Sequence, residues 1–227
     1  PSGEAAASGG FGDVESFVPE NVEPVDLPPW AKKTAERLSI PRSRVIPQVS
    51  TFSNGLRLIV QPHTASDTVC IYGHMLNRPE LQVPAGKEGV ESVLEKLFPY
   101  GTASRDRDAF HRELDEIGAF VSAGTDFSLE VMREHAEKGI ELLADNLLRP
   151  ALPGDAFEVV RGQEAAAAAG RLKSPEYRAE MAVRRALYPK GDPMLREATP
   201  ETLSSLELSD VRSYWQKVFR PDMTTIV

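Results

Sequence analysis

An α+β sandwich, with a mixed or antiparallel sheet and helices packed on one face, is the architecture this sequence predicts. Three observations carry that expectation. Short apolar alternations flank strong turn signals, as paired strands do. Longer segments between them repeat apolar residues at helical spacing. The two kinds of segment interleave, strand pairs with helix pairs, which is the order of helices layered on a sheet. With 41% hydrophobic residues among 227, the chain has enough apolar side chain to bury a real core.

Taken in order, residues 1–47 read as a Pro- and Gly-rich linker with a short helix. "PSGEAAASGGFGDVESF" is small and polar, and "VPENVEPVDLPP" is Pro-rich and acidic. Such composition cannot bury enough surface to order itself. "PWAKKTAERLSIP" supplies the short helix. The domain proper runs over 48–227. It opens on "VSTFSNGLRLIVQP", where Asn54-Gly55 sits between apolar alternations, a hairpin signal. "DTVCIYGHML" reads as the next strand. Residues 86–98 form a helix with Val90, Val93, Leu94, Leu97 and Phe98 on its apolar side. A second helix covers 106–117, and "GAFVSAGTDFSLEVM" gives two strands around a turn. Helices follow at 134–148, 153–170, 175–187 and 208–218. Pro189, Gly191 and Pro193 break the chain between the last two, where Thr199 can cap a further turn with Pro200 at its first position. "PDMTTIV" begins a final strand.

Composition also excludes. A formal net charge of −8 argues against a nucleic-acid partner. No stretch reaches the roughly 18 apolar residues of a membrane span. The single cysteine, Cys70, permits no intramolecular disulfide. The chain starts on Pro1 and stops on "TTIV", so a fragment of a longer protein is expected. The four histidines, His63, His74, His111 and His135, show no ligand spacing, and His111 with Glu113 and Asp115 reads as a charged helix face. No Ser-His-Asp set or G-x-S-x-G string occurs. The glycines of "SGGFG" precede a Pro-rich linker, which does not suit a phosphate loop.

Several strings resemble the pitrilysin/insulinase family of inverted zinc metallopeptidases, whose domains have the mitochondrial-processing-peptidase fold. They are "FSNGLRLIVQP", "GKEGVESVLEKLFPYGT", "LDEIGAFVSAGTDFS", "GIELLADNLLRPALP" and "RPDMTTIV". The resemblance implies H-x-x-E-H on the first helix of the domain, with a third zinc ligand, a Glu, from a later helix. Laid on this chain, the first His position is Ser92 and the second is Lys96. The general-base position is Glu95, which matches, and the third-ligand position falls near Ala167 in "GQEAAAAAG".

Chemistry agrees with that departure. Positions 92 and 96 are i and i+4, so two imidazoles there would chelate zinc from one helix face. A serine hydroxyl is a poor ligand and an ammonium is none, whereas catalytic zinc wants three ligands from His, Cys, Asp or Glu. Without a zinc-bound water Glu95 has nothing to activate. Its expected role is that of an ordinary helical surface glutamate. Glu164 could be a displaced third ligand, but its partners are gone. No catalytic or metal-binding residue is therefore expected in this domain.

The resemblance further implies the first domain of the non-catalytic, C-terminal half of a bacterial two-half metallopeptidase. Zinc is then expected in the partner half, on the same or a sister chain. The implied task is to wall a peptide chamber, to orient and size-select peptide substrates, and to gate access at the linker. A periplasmic or secreted home is suspected from bacterial relatives alone. The alternative is a purely structural or binding module, like the core subunits of respiratory complexes, with no proteolysis in the parent.

Overall fold

A computed structural model describes residues 28–36, 46–63 and 65–227. The chain divides into two units, Pro1–Arg44 and Val45–Val227. Most of the linker expected over 1–47 lies outside the described residues. Its short helix is present as α1 (Pro29–Glu36), where the Thr34 hydroxyl donates to the Trp30 carbonyl at 2.7 Å.

The second unit opens with the hairpin β1 (Gln48–Thr51) and β2 (Arg57–Val60), paired antiparallel. Asn54 stabilises the turn by accepting from the Leu56 amide at 3.2 Å, the local side-chain bond that suits Asn to turns. Then come β3 (Thr68–Met75), the one-turn α2 (Pro79–Gln82) and α3 (Val90–Leu97). A 3₁₀ turn, Phe98–Tyr100, continues α3. Next are α4 (Arg107–Glu116), capped by Asp106, the strands β4 (Phe120–Ser122) and β5 (Asp126–Met132), and α5 (Ala136–Leu148). Helices α6 (Gly154–Arg171), α7 (Pro175–Leu187), α8 (Pro200–Ser204) and α9 (Leu208–Val218) precede β6 (Thr224–Ile226).

The six strands form one mixed sheet in the order β1-β2-β6-β3-β5-β4. Only β2 and β6 run parallel; the other neighbours are antiparallel. One sheet face is covered. Met75, Phe127, Leu129 and Val131 point from it into a cluster with Phe110 and Leu114 of α4 and Leu142, Leu143 and Leu147 of α5. Gly73 is part of that packing, because a Cβ there would lie 1.9 Å from the Phe127 ring. A second cluster gathers α3, α6, α8 and α9 around Val93, Leu97, Val160, Leu203 and Val211. Each fully buried aliphatic side chain of this kind contributes about 1.5–3 kcal/mol. Phe219 and Ala123 touch both clusters.

Two polar devices hold the end of α3 in place. Asn146 of α5 is 2% exposed and its Nδ2 donates to the carbonyls of Phe98 (2.9 Å) and Gly101 (3.1 Å), each of which also accepts a backbone bond, from Gly101 (3.4 Å) and Ala151 (3.2 Å) respectively. Arg105 then ties the following turn to α4 and α5, donating to Glu113 (2.8 Å), Glu141 (2.8 Å) and Asp145 (2.9 Å). That contact with Arg105, with Lys138 second, holds the Glu113 carboxyl below its ordinary range. Burial works the other way on Asp145, but its hydrogen bonds and the nearby guanidinium groups win and keep it ionised.

Candidate functional site

The string "GVESVLEKLFPYGT" folds as α3 and its 3₁₀ extension. Gly89 precedes the helix with φ +98°, and a Cβ on it would lie 2.5 Å from Leu203 Cδ2. Only glycine meets both demands cheaply. The helix expected from residue 86 therefore starts at Val90, because "PAGKEG" spends its backbone amides on turns: Lys87 donates to Pro84 and Val90 to Lys87.

Val90, Val93, Leu94 and Leu97 turn inward and leave Ser92, Glu95 and Lys96 on the outer side. Ser92 is half-buried and its hydroxyl donates to the Gly89 carbonyl at 2.9 Å. Glu95 is exposed and accepts from Thr125 at the β4–β5 turn, at 3.3 Å. Lys96 is exposed. Helix α6 packs on α3, and within its alanine run Ala168 is 2% exposed while Ala167 faces outward. Glu164, one turn earlier, is half-buried.

Zinc can be tested against this donor set. The positions offer a hydroxyl already committed to a backbone carbonyl, an ammonium and a methyl group. They do not fit the ion, which needs three good ligands. Among the described residues no group of three or more His, Cys, Asp or Glu side chains is arranged to hold a metal. Glu95 has its carboxylate beside a threonine hydroxyl and no partner that would make it a base.

The polar group under most stress near α3 is Glu91. It is half-buried in the first turn, and its Oε2 has no hydrogen-bond partner among the described residues. Burial first, and the neighbouring carboxyls of Glu95 and Glu80 after it, push its carboxyl above the ordinary glutamate range. Burial also pushes the Tyr214 phenol up to about 12. That phenol exchanges hydrogen bonds with the Asn77 side chain at 3.0 and 3.3 Å.

The histidines stay apart. His111 Nε2 sits 3.0 Å from the Pro99 carbonyl, His135 lies 3.6 Å from Glu134, and His63 is exposed. His74 is different: its Nδ1 lies 2.7 Å from Asp126 on the uncovered face of the sheet. That face was not among the sites the sequence suggested. It holds a shallow groove of about 410 Å³ lined by Tyr72, His74, Ser122, Asp126, Ser128 and their neighbours. A signal for it exists in "TVCIY", where apolar residues occupy both parities of one strand. Val69 and Ile71 serve the core, and Cys70 and Tyr72 face out.

This is an α+β domain, and solved structures of peptidase domains share its fold. The inactive domain of an M16 peptidase from Pseudomonas fluorescens is similar at 15% identity and a TM-score of 0.72, over 80% of this chain and 46% of that one. Pitrilysin is similar at 17% identity and a TM-score of 0.66, over 82% of this chain and 21% of that one. A protease from Helicobacter pylori is similar at 18% identity and 0.59, over 80% and 45%. This chain thus spans less than half of each. No family model and no curated protein matches it. Among the described residues no helix is long and apolar enough to cross a membrane.

Proposed function

We propose that this chain is a non-catalytic domain of a zinc metallopeptidase of the pitrilysin/insulinase type. It walls the peptide chamber and helps to bind and size-select peptides for a zinc-bearing half on the same or a sister chain. Residues 48–227 form that domain, and 1–47 serve as the joint between halves. One observation carries the reading. The fold is that of M16 peptidase domains, one of them described as inactive, while Ser92, Lys96 and Ala167 stand where the resemblance puts zinc ligands. Glu95, the one matching position, is an exposed helical carboxylate bonded to Thr125. A scaffold that keeps its helix caps and core but replaces every ligand retains shape without hydrolysis.

The test is metal content. The chain is incubated with zinc and dialysed, and zinc per chain is measured by atomic emission, alongside peptide hydrolysis. Substoichiometric zinc, the same in Glu95→Gln, and no hydrolysis are the expected results. One tightly held zinc per chain would overturn the reading, and Glu164 and His111 would be the first residues to substitute.

A further inference from the structure

The uncovered face of the sheet does not look like a surface built for water. An antiparallel sheet with one wet face turns polar residues outward. Here the outward positions include Phe120 (75% exposed), Tyr72 (60%), Val227 (50%) and Met132 (46%). Register brings several of them into one line. Tyr72 lies opposite Val227 through paired backbone bonds, opposite Ser128 on β5, and Ser128 lies opposite Ser122 on β4. The two serines stop short of their neighbours, so the line dips between Tyr72 and the edge. This dip joins the 410 Å³ groove to a 160 Å³ extension lined by Phe120 and Glu130, the two sharing Tyr72, Ser122 and Ser128.

The charges along it are acidic. Asp126 marks one end, beside His74. Glu130 marks the other, opposite Phe120 and Cys70 in register, and no cation among the described residues pairs with it. A second copy docked with its β5 over this one would bring the carboxylates of Asp126 and Glu130 against their counterparts, and only a docking shifted toward Arg57, beyond Thr225 in register, would avoid it. An extended peptide avoids that conflict. Ser128 and Glu130 are two residues apart on one strand, about 7 Å, and same-side residues of an extended peptide have that spacing.

We propose that this trough binds an extended peptide segment with a large apolar side chain and a basic side chain two positions away. The apolar side chain fills the dip over Ser122 and Ser128 between Tyr72 and Phe120, and the basic one pairs with Glu130. The proposal rests on the peptide-chamber reading above and names the kind of peptide this wall prefers.

The test uses the whole 227-residue chain and fluorescein-labelled peptides read by anisotropy. The reference probe is Gly-Ser-Phe-Ser-Lys-Ser-Gly with blocked ends. Replacing its Phe by Ser, or its Lys by Glu, is expected to weaken binding about tenfold each. Glu130→Lys in the protein should reverse the preference between the Lys and Glu peptides, and Ser128→Trp should fill the dip and abolish binding, with circular dichroism unchanged in both. Absence of saturable binding overturns the proposal and leaves the zinc result to judge the non-catalytic reading. Binding that ignores both substitutions also overturns it and moves the peptide site elsewhere on the domain. A sedimentation-measured dimer that either substitution dissolves overturns it in favour of a second copy.

Discussion

Glu91 shows how one residue can record a conflict between fold and chemistry. The first turn of α3 favours an acidic residue, because unpaired amides and the helix dipole point there. The same turn is packed against α9, and burial pushes the carboxyl above its ordinary value of 4.5. The folded state therefore binds a proton more tightly than the unfolded chain. Glu91 favours folding below about pH 4.5, and that contribution is lost as pH rises through the folded value. Glu91→Gln, which keeps the shape and removes the charge, is expected to stabilise the protein at pH 7. The gain over the parent should shrink toward zero as pH falls to 4. Urea titrations at several pH values measure it, and a gain independent of pH would show that Glu91 is ionised at no cost. The identity of this residue was plain in the sequence, but its environment was not. "GVES" looks like an ordinary helix start, and it is burial by the tertiary packing of α3 that makes the site costly, with Tyr214, more than a hundred residues away, among the groups that feel its charge.

At the scale of elements, legibility follows locality. The helices over 175–187 and 208–218 were readable to the residue because their stops and starts are written next to them. Ser174 accepts from the Tyr177 amide, and Glu207 and Asp210 form a reciprocal cap. The helix expected over 134–148 starts instead as a 3₁₀ turn at Arg133–His135 and becomes α-helical at Ala136. Sheet order was not readable. β6 slots between β2 and β3, parallel to one and antiparallel to the other, and nothing local to "TTI" says so. Which residue of the alanine run meets α3 was not readable either, since a helix with alanine on every side carries no facing signal. Gly73 combines both lessons. It sits within a strand, where glycine is a poor choice, and the Phe127 ring opposite explains it. Gly73→Ala should destabilise by about 1–3 kcal/mol through overpacking. Adding Phe127→Leu should recover part of the loss, which a backbone-entropy explanation does not predict. Thermal unfolding of the two variants decides between them.

Over the whole second unit, two cores share one chain. One lies between the sheet and α4 and α5, and the other among α3, α6, α8 and α9. Their junction is narrow. Phe219 packs on both and meets the Phe98 ring at a tilt of 42°, with ring centroids 5.3 Å apart, and beside it the Trp215 indole donates to the Leu147 carbonyl of α5 at 3.0 Å. The tryptophan therefore reports on the junction, while far-UV circular dichroism reports on both cores. In a Trp30→Phe background, which leaves Trp215 as the only indole, the two signals should unfold together, as one cooperative unit requires. Leu97→Ala lies within one core and should lower stability by about 2–5 kcal/mol with the signals still coincident. Phe219→Ala should cost less, about 2 kcal/mol for a partly buried ring, yet separate them, with the tryptophan transition coming first. If both signals still coincide in Phe219→Ala, the cores are coupled through their other contacts, Ala123 and the Trp215–Leu147 bond, rather than through this ring. Only separated transitions would allow the helical layer to shift on the sheet without unfolding it.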